Sequence, residues 1–122
     1  MPEIYTLGSK NKRTKFCYDG SVKVGTRLNF VGRPWISTEL YSAILKTFSG
    51  MTIKGGFSMT NPPQDGFGEW VKENSKKYGN KLSPRHGSFI AAILVHEGYI
   101  GSSLQGNAVI LLFPDVLKNK KG

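Results

Sequence analysis

Apolar positions along the chain fall into three stretches of helical spacing and several shorter runs of strand character. The first helix starts at Ser37, whose hydroxyl is suited to accept from the free amides of the first turn. Leu40, Tyr41, Ile44, Leu45 and Phe48 then recur on one face, Ile36 and Tyr41 stand at the spacing of a hydrophobic staple, and Gly50 suits a left-handed stop. Met51 to Met59 reads as a short extended segment, and Asn61-Pro62-Pro63-Gln64 as a loop. A second helix is predicted from about Gly66 to Tyr78, capped by Asp65 and stopped by Gly79. Phe67, Trp70, Val71 and Tyr78 share its inner face, and Lys72, Lys76 and Lys77 point outward or to its flanks. The third helix opens at Leu82-Ser83-Pro84, with Ser83 as N-cap and Pro84 at the first helical position, where no backbone donor is lost. Ile90, Ile93 and Leu94 form its buried stripe, Phe89 lies on the flank, and Gly98 ends it.

Strands are expected on both sides of these helices. Downstream, Tyr99 to Ser103 and Ala108 to Phe113 read as a hairpin around Leu104-Gln105-Gly106-Asn107. Upstream, Thr14 to Tyr18 and Ser21 to Val24 flank Asp19-Gly20, a pair suited to a tight primed turn. Arg27 to Val31 is a further short strand candidate, and Gly32-Arg33-Pro34 interrupts the chain before the first helix. The organisation is therefore α+β: a basic β-containing extension over 1–35, a core domain over 36–114 and a basic tail over 115–122.

Charge narrows the choice of partner. Seventeen Lys and Arg against eight Asp and Glu leave a net charge of +9 on 122 residues, a balance that favours polyanions. Neither Phe89 to Val95 nor Ala108 to Phe113 approaches the roughly 18 to 20 apolar residues of a membrane helix. Met1-Pro2-Glu3-Ile4 lacks the basic-then-apolar pattern of a secretory signal, which predicts a cytoplasmic protein, nucleoid-associated if bacterial. Cys17 stands alone, so neither an internal disulfide nor a cysteine zinc cage is available, and it reads as a small core thiol.

The order helix, strand, helix, turn, helix, strand, turn, strand over Ser37 to Phe113 resembles the winged helix-turn-helix family. Two segments carry the likeness: Leu82-Ser83-Pro84-Arg85-His86 opening the third helix, and Leu94-Val95-His96-Glu97-Gly98-Tyr99-Ile100 leaving it for the hairpin, or wing. The resemblance implies a DNA-binding domain with the third helix in the major groove and the second crossing near the backbone. A helical wheel set on Ile90 places Ser88 and Ala92 opposite the core stripe, with Arg85 beside them at the N-terminal end. Arg85 is then the candidate for a bidentate contact to guanine, and Ser88 for a base or phosphate. Lys72, Lys76, Lys77, Lys81 and Ser83 would lie along the phosphates, with acids offsetting some lysines through pairs such as Glu69 with Lys72 and Glu73 with Lys77. The wing carries no charge, and Ser102, Ser103 and Asn107 are its neutral phosphate donors. Lys10, Lys12, Arg13 and Lys15 form a basic arm that would compensate by lying in a neighbouring groove.

His86 projects to the core side and reads as a half-buried, hydrogen-bonded residue, whereas His96 complements the last turn of the helix. No phosphate-binding glycine loop, converging carboxylate set or oriented nucleophile pair is visible, so neither an enzyme nor a cofactor or metal site is expected. The alternative is a protein-binding module on the same fold that regulates or inhibits a nucleic-acid enzyme, favoured by the uncharged wing and by Val95 on the outer face. RNA binding would need exposed stacking aromatics, while Trp35, Trp70 and Tyr78 read as core or core-flank residues. A homodimer through the N-terminal strands is compatible with two-fold DNA sites.

Overall fold

A computed structural model describes residues 3–7, 14–29, 33–55, 66–79, 81–105 and 108–115. Its elements run β1 (Glu3–Tyr5), β2 (Lys15–Ser21), β3 (Gly25–Leu28), β4 (Trp35–Ile36), α1 (Thr38–Thr47), β5 (Thr52–Lys54), α2 (Phe67–Asn74), a 3-10 turn (Ser75–Tyr78), α3 (Pro84–His96), β6 (Gly101–Gln105) and β7 (Ala108–Leu112). The fold is α+β, with three helices and two antiparallel sheets among the described residues.

The N-terminal sheet is a four-stranded meander in the order β1-β2-β3-β4. Its register pairs Ile4 with Phe16, Tyr18 with Leu28 and Thr26 with Ile36, and all six are buried. The alternate positions Glu3, Tyr5, Lys15, Asp19, Arg27 and Trp35 are exposed, as the two-residue period of a half-buried strand requires. The hairpin expected at Asp19-Gly20 turns later. Those two residues sit inside β2, opposite Arg27 and Thr26, and the turn is Val22-Lys23-Val24, closed by Val24 N–H donating to the Ser21 carbonyl at 3.2 Å. Consequently β3 begins at Gly25 rather than Arg27, and Ser21 is the last residue of β2. Core packing decides the shift, because it buries Val22 along with Phe16 and Tyr18. Gly25 adopts φ +100 beside this turn, and a side chain there would collide with the Trp35 ring.

The second sheet has the order β5-β7-β6 and joins the strand after α1 to the C-terminal hairpin. That hairpin spans Gly101–Gln105 and Ala108–Leu112, a shorter connection than the four residues expected. Helix α1 is capped as predicted, with Ser37 Oγ accepting from Leu40 N–H at 3.1 Å, and Gly50 is left-handed at φ +76. The second helix divides: α2 stops at Asn74, a 3-10 turn follows, and its N-cap is Gly66, while Asp65 lies outside the described residues. Phe48, Phe67, Trp70 and Phe113 stack into one aromatic cluster, with centroids 5.3 Å apart for Phe48–Phe113 and 5.5 Å for Phe48–Trp70, that binds α1 to α2 and to the end of β7.

Both sheets and all three helices contribute to one apolar core, so the described part of the N-terminal extension is a layer of that core. Glu97, the C-cap of α3, fastens the layer. Its carboxylate accepts from the Tyr18 hydroxyl at 2.6 Å and from Val22 N–H at 3.0 Å. Burial, then the hydrogen bond and negative charge of Glu97, push the Tyr18 hydroxyl far above its ordinary range, so Tyr18 is a permanent donor here.

Two stability changes follow. Glu97→Ala leaves a phenol and a turn amide without their acceptor and is expected to lower unfolding free energy by about 2 kcal/mol in urea denaturation. Gly25→Ala, forced into positive φ against Trp35, is expected to lose about 1–3 kcal/mol. Unchanged midpoints would contradict the Glu97 clasp and the Gly25–Trp35 contact respectively.

Candidate nucleic-acid interface

The segment between α2 and α3 is held by short-range hydrogen bonds that leave its cations outside. Ser75 is fully buried and its Oγ accepts from Leu82 N–H at 3.1 Å, spanning the connection. Gly79 is left-handed at φ +77, and the Tyr78 carbonyl accepts from Ser37 Oγ at 3.1 Å, which ties the turn to the start of α1. Lys76 and Lys77 stand exposed on the 3-10 turn, Lys81 is exposed in the connection, and Arg85 is exposed on the first turn of α3. None of these four makes an ion pair with a described residue. Lys72 does, at 3.9 Å from Glu69, as expected. The companion pair Glu73 with Lys77 is absent, because the 3-10 turn winds more tightly than an α-helix and takes Lys77 out of register.

At the N-terminus of α3 the His86 ring reaches back to its cap. Nδ1 accepts from Ser83 N–H at 3.0 Å and lies 3.0 Å from Ser83 Oγ, the place a Glu or Gln takes in a capping box. His86 is therefore half-buried and hydrogen-bonded, as its place on the core side implies. Burial, with the neighbouring Arg85 charge second, holds its pKa below the ordinary 6.5. Ser88 Oγ donates to the Arg85 carbonyl at 2.8 Å, so its hydroxyl proton is engaged within the helix.

Further along α3 the expected outward face is covered. Ile90 through Leu94 are all buried, and Ala92, placed opposite the core stripe by the helical wheel, is 2% exposed. The cause is the N-terminal sheet: Phe16 packs edge-to-face on Phe89 at 4.9 Å, and Tyr18 meets His96 at 6.4 Å. Arg85 is thus the exposed residue at the near end of the helix's outer side, with half-buried Ser88 one turn on and exposed His96 at the far end.

Where β2 meets the first turn of α3, a cavity of about 360 Å³ is lined by Lys15 and Phe16 from the sheet and by Ser83, Arg85, His86 and Phe89 from α3 and its cap. Lys15 is exposed and pairs with Glu3 at 3.4 Å. Ser102 and Ser103 are exposed on β6 and line a second, uncharged groove with Tyr5 and Leu104. Lys10, Lys12 and Arg13 lie outside the described residues, as does Asn107. Trp35 departs from its expected core place: it is 42% exposed, with the Arg27 guanidinium 5.3 Å from its ring centre. Trp70 and Tyr78 are half-buried core flanks, and Val95 and Cys17 are likewise half-buried. Among the described residues no cluster of three His, Cys, Asp or Glu can hold a metal, and no helix is long and apolar enough to cross a membrane.

Sequence reasoning found the cations from their clustering but missed Ser75, Glu97 and the cavity. A serine and a glutamate carry no local signal of such partners, and the cavity's two walls are distant in the chain. Comparison with known protein families, with curated proteins and with solved structures gives no match to this chain.

His86 supplies a pH test. Its folded pKa lies below 6.5, so the unfolded chain takes up the proton first; its contribution to stability is complete above that value and is lost as pH falls below it. His86→Gln keeps an acceptor that can reach Ser83 but does not titrate. Comparing denaturation midpoints at pH about 7.5 and about 5 should show a smaller acid loss in the variant than in the parent; equal losses would refute the assignment.

Proposed function

We propose that this chain is a winged helix-turn-helix protein that binds double-stranded DNA through the cationic connection between α2 and α3. The carrying observation is the set Lys76, Lys77, Lys81 and Arg85, exposed, free of ion pairs with described residues, and carried by the 3-10 turn, the connection after it and the first turn of α3. The α1-β5-α2-α3-β6-β7 order, with β5 paired to β7 and β7 to β6, supports the winged-helix reading. Flexible lysines on the 3-10 turn contact phosphates, which gives affinity independent of sequence. Arg85, at the N-terminal end of α3 where base contacts concentrate, reads the edge of the major groove. Because Ala92 is covered, the helix approaches the groove by its first turn and not along its length. The protein acts as a binding module, with transcriptional regulation as the matching role.

A protein-binding role on the same fold is favoured by one observation. The uncharged β6–β7 hairpin exposes Leu104 at 49% and Leu112 at 41%, apolar groups suited to a protein surface and useless to phosphates.

Titration of labelled mixed-sequence duplex across salt concentrations separates the two. Binding should weaken steeply with salt, and Lys76→Ala with Lys77→Ala should lower the magnitude of the log–log slope by about 2, weakening all sequences alike. Arg85→Ala should reduce discrimination between a preferred and a scrambled site by about 1–3 kcal/mol. Absence of binding at low salt, or binding indifferent to salt, would overturn the DNA reading in favour of a protein partner.

A further inference from the structure

We propose that the groove between the two sheets takes an extended, uncharged segment of an acidic protein, which pairs as an added strand with the open edge of β6. The ladder settles which way the β6 backbone faces. Gly55 N–H donates to the Val109 carbonyl at 2.9 Å and Phe113 N–H to the Met51 carbonyl at 2.9 Å, so the odd-numbered residues of β7 turn toward β5. Ala108, Ile110 and Leu112 therefore turn toward β6 and exchange hydrogen bonds with Gln105, Ser103 and Gly101. The residues between, Ser102 and Leu104, direct their N–H and C=O groups to the opposite side, where β6 is the last strand of its sheet. No described residue hydrogen-bonds to either amide. Both residues are exposed, and the strand lacks the charge, proline or bulge that guards an edge.

The groove itself defines the occupant. About 420 Å³ in volume, it is lined by Ser102, Leu104 and Val109 from the second sheet and by Tyr5 and Leu7 from β1 and the residues after it. β1 is likewise the last strand of its sheet, and Thr6 N–H donates to the Thr14 carbonyl at 2.8 Å, so the Tyr5 backbone turns away from β2. A strand laid on β6 thus meets the outer edge of β1 as well. That suits a single extended segment; a second copy of the chain would bring β7 behind its own β6, against Tyr5 and Leu7. Leu104 and Val109 stand opposite each other in the register, and Val109 and Leu7 pack half-buried against the core. Alternate side chains of the added strand therefore find an apolar floor. No charged residue lines the groove among the described residues, which selects an uncharged segment, whereas the net charge of +9 attracts an acidic protein to carry it. This inference needs neither the DNA reading nor its cations, and it gives the protein-binding role a site on the β6–β7 hairpin.

Site-resolved amide hydrogen exchange tests it, with a short synthetic peptide of alternating valine and threonine, carrying aspartates at both ends, as the probe. In the free monomer Ser102 and Leu104 should exchange fast and Ser103, bonded to β7, slowly. Saturable peptide binding should slow both fast amides at least about tenfold and leave residues 75–88 unchanged. The same peptide with a proline at its centre, which cannot donate to the ladder, should bind about tenfold more weakly. Ser102→Pro removes an outward amide without touching the ladder to β7 and should weaken the peptide about tenfold. Leu104→Asp, at an exposed position, should do the same by repelling the aspartates, and serves if the proline disturbs the hairpin. Both variants should bind duplex DNA as the parent does. No saturable peptide binding, or binding that leaves Ser102 and Leu104 exchanging as before, overturns the proposal. So does protection of both amides without peptide: growing with protein concentration it puts a second copy on the edge, and independent of concentration it means that the chain covers its own edge. Peptide binding without duplex binding would sink the DNA reading and keep the groove, and duplex binding without peptide binding would do the reverse.

Discussion

The enclosure of α3 is the constraint on which the rest of the molecule depends. Five consecutive residues from Ile90 to Leu94 are buried, which a helix achieves only when neighbours cover it on every side. Helix α2 covers part of it, and the meander of β1 to β4 brings Phe16 and Tyr18 against its outer flank. Ala91 and Ala92 keep that middle stretch narrow, so packed layers can approach closely. Glu97 then fixes the angle of approach, since its carboxylate holds both the Tyr18 ring and the β2–β3 turn. Remove the N-terminal layer and α3 would expose Phe89 and Ala92 to water.

That enclosure shapes what the surface can do. A helix open along its length can lie in a groove and offer several side chains to base edges. In this one Arg85 is the exposed residue at the near end, so the proposed DNA reading concentrates recognition on Arg85 and on the lysines that precede it. The arrangement suits a protein that holds the backbone firmly and reads few bases. It also places the cavity at the seam between the two layers.

Much of the fold was legible because helix boundaries are written locally. Ser37 and Ser83-Pro84 announce starts, and Gly50, Gly79 and Gly98 announce stops by adopting positive φ. The β-meander was harder. Asp19-Gly20 has the chemistry of a tight turn, yet the chain turns at Val22–Val24 because packing of Phe16, Tyr18 and Val22 sets the register. Trp35 was misread for a related reason: a large aromatic favours burial in general, but its side of β4 faces outward, over Gly25 and beside Arg27. The exposure of the clustered cations Lys76, Lys77, Lys81 and Arg85 was legible from the helix pattern. Its limits were not, because a helical wheel says which way Ala92 points and nothing about what stands opposite.

Amide hydrogen exchange of the protein with and without duplex DNA tests this account most directly. Protection gained across the 3-10 turn, the connection and the first turn of α3, residues 75–88, with the β6 and β7 strands unchanged, is the predicted result. Protection confined to β6 and β7, with residues 75–88 unaltered, would contradict it and place the contact on the wing.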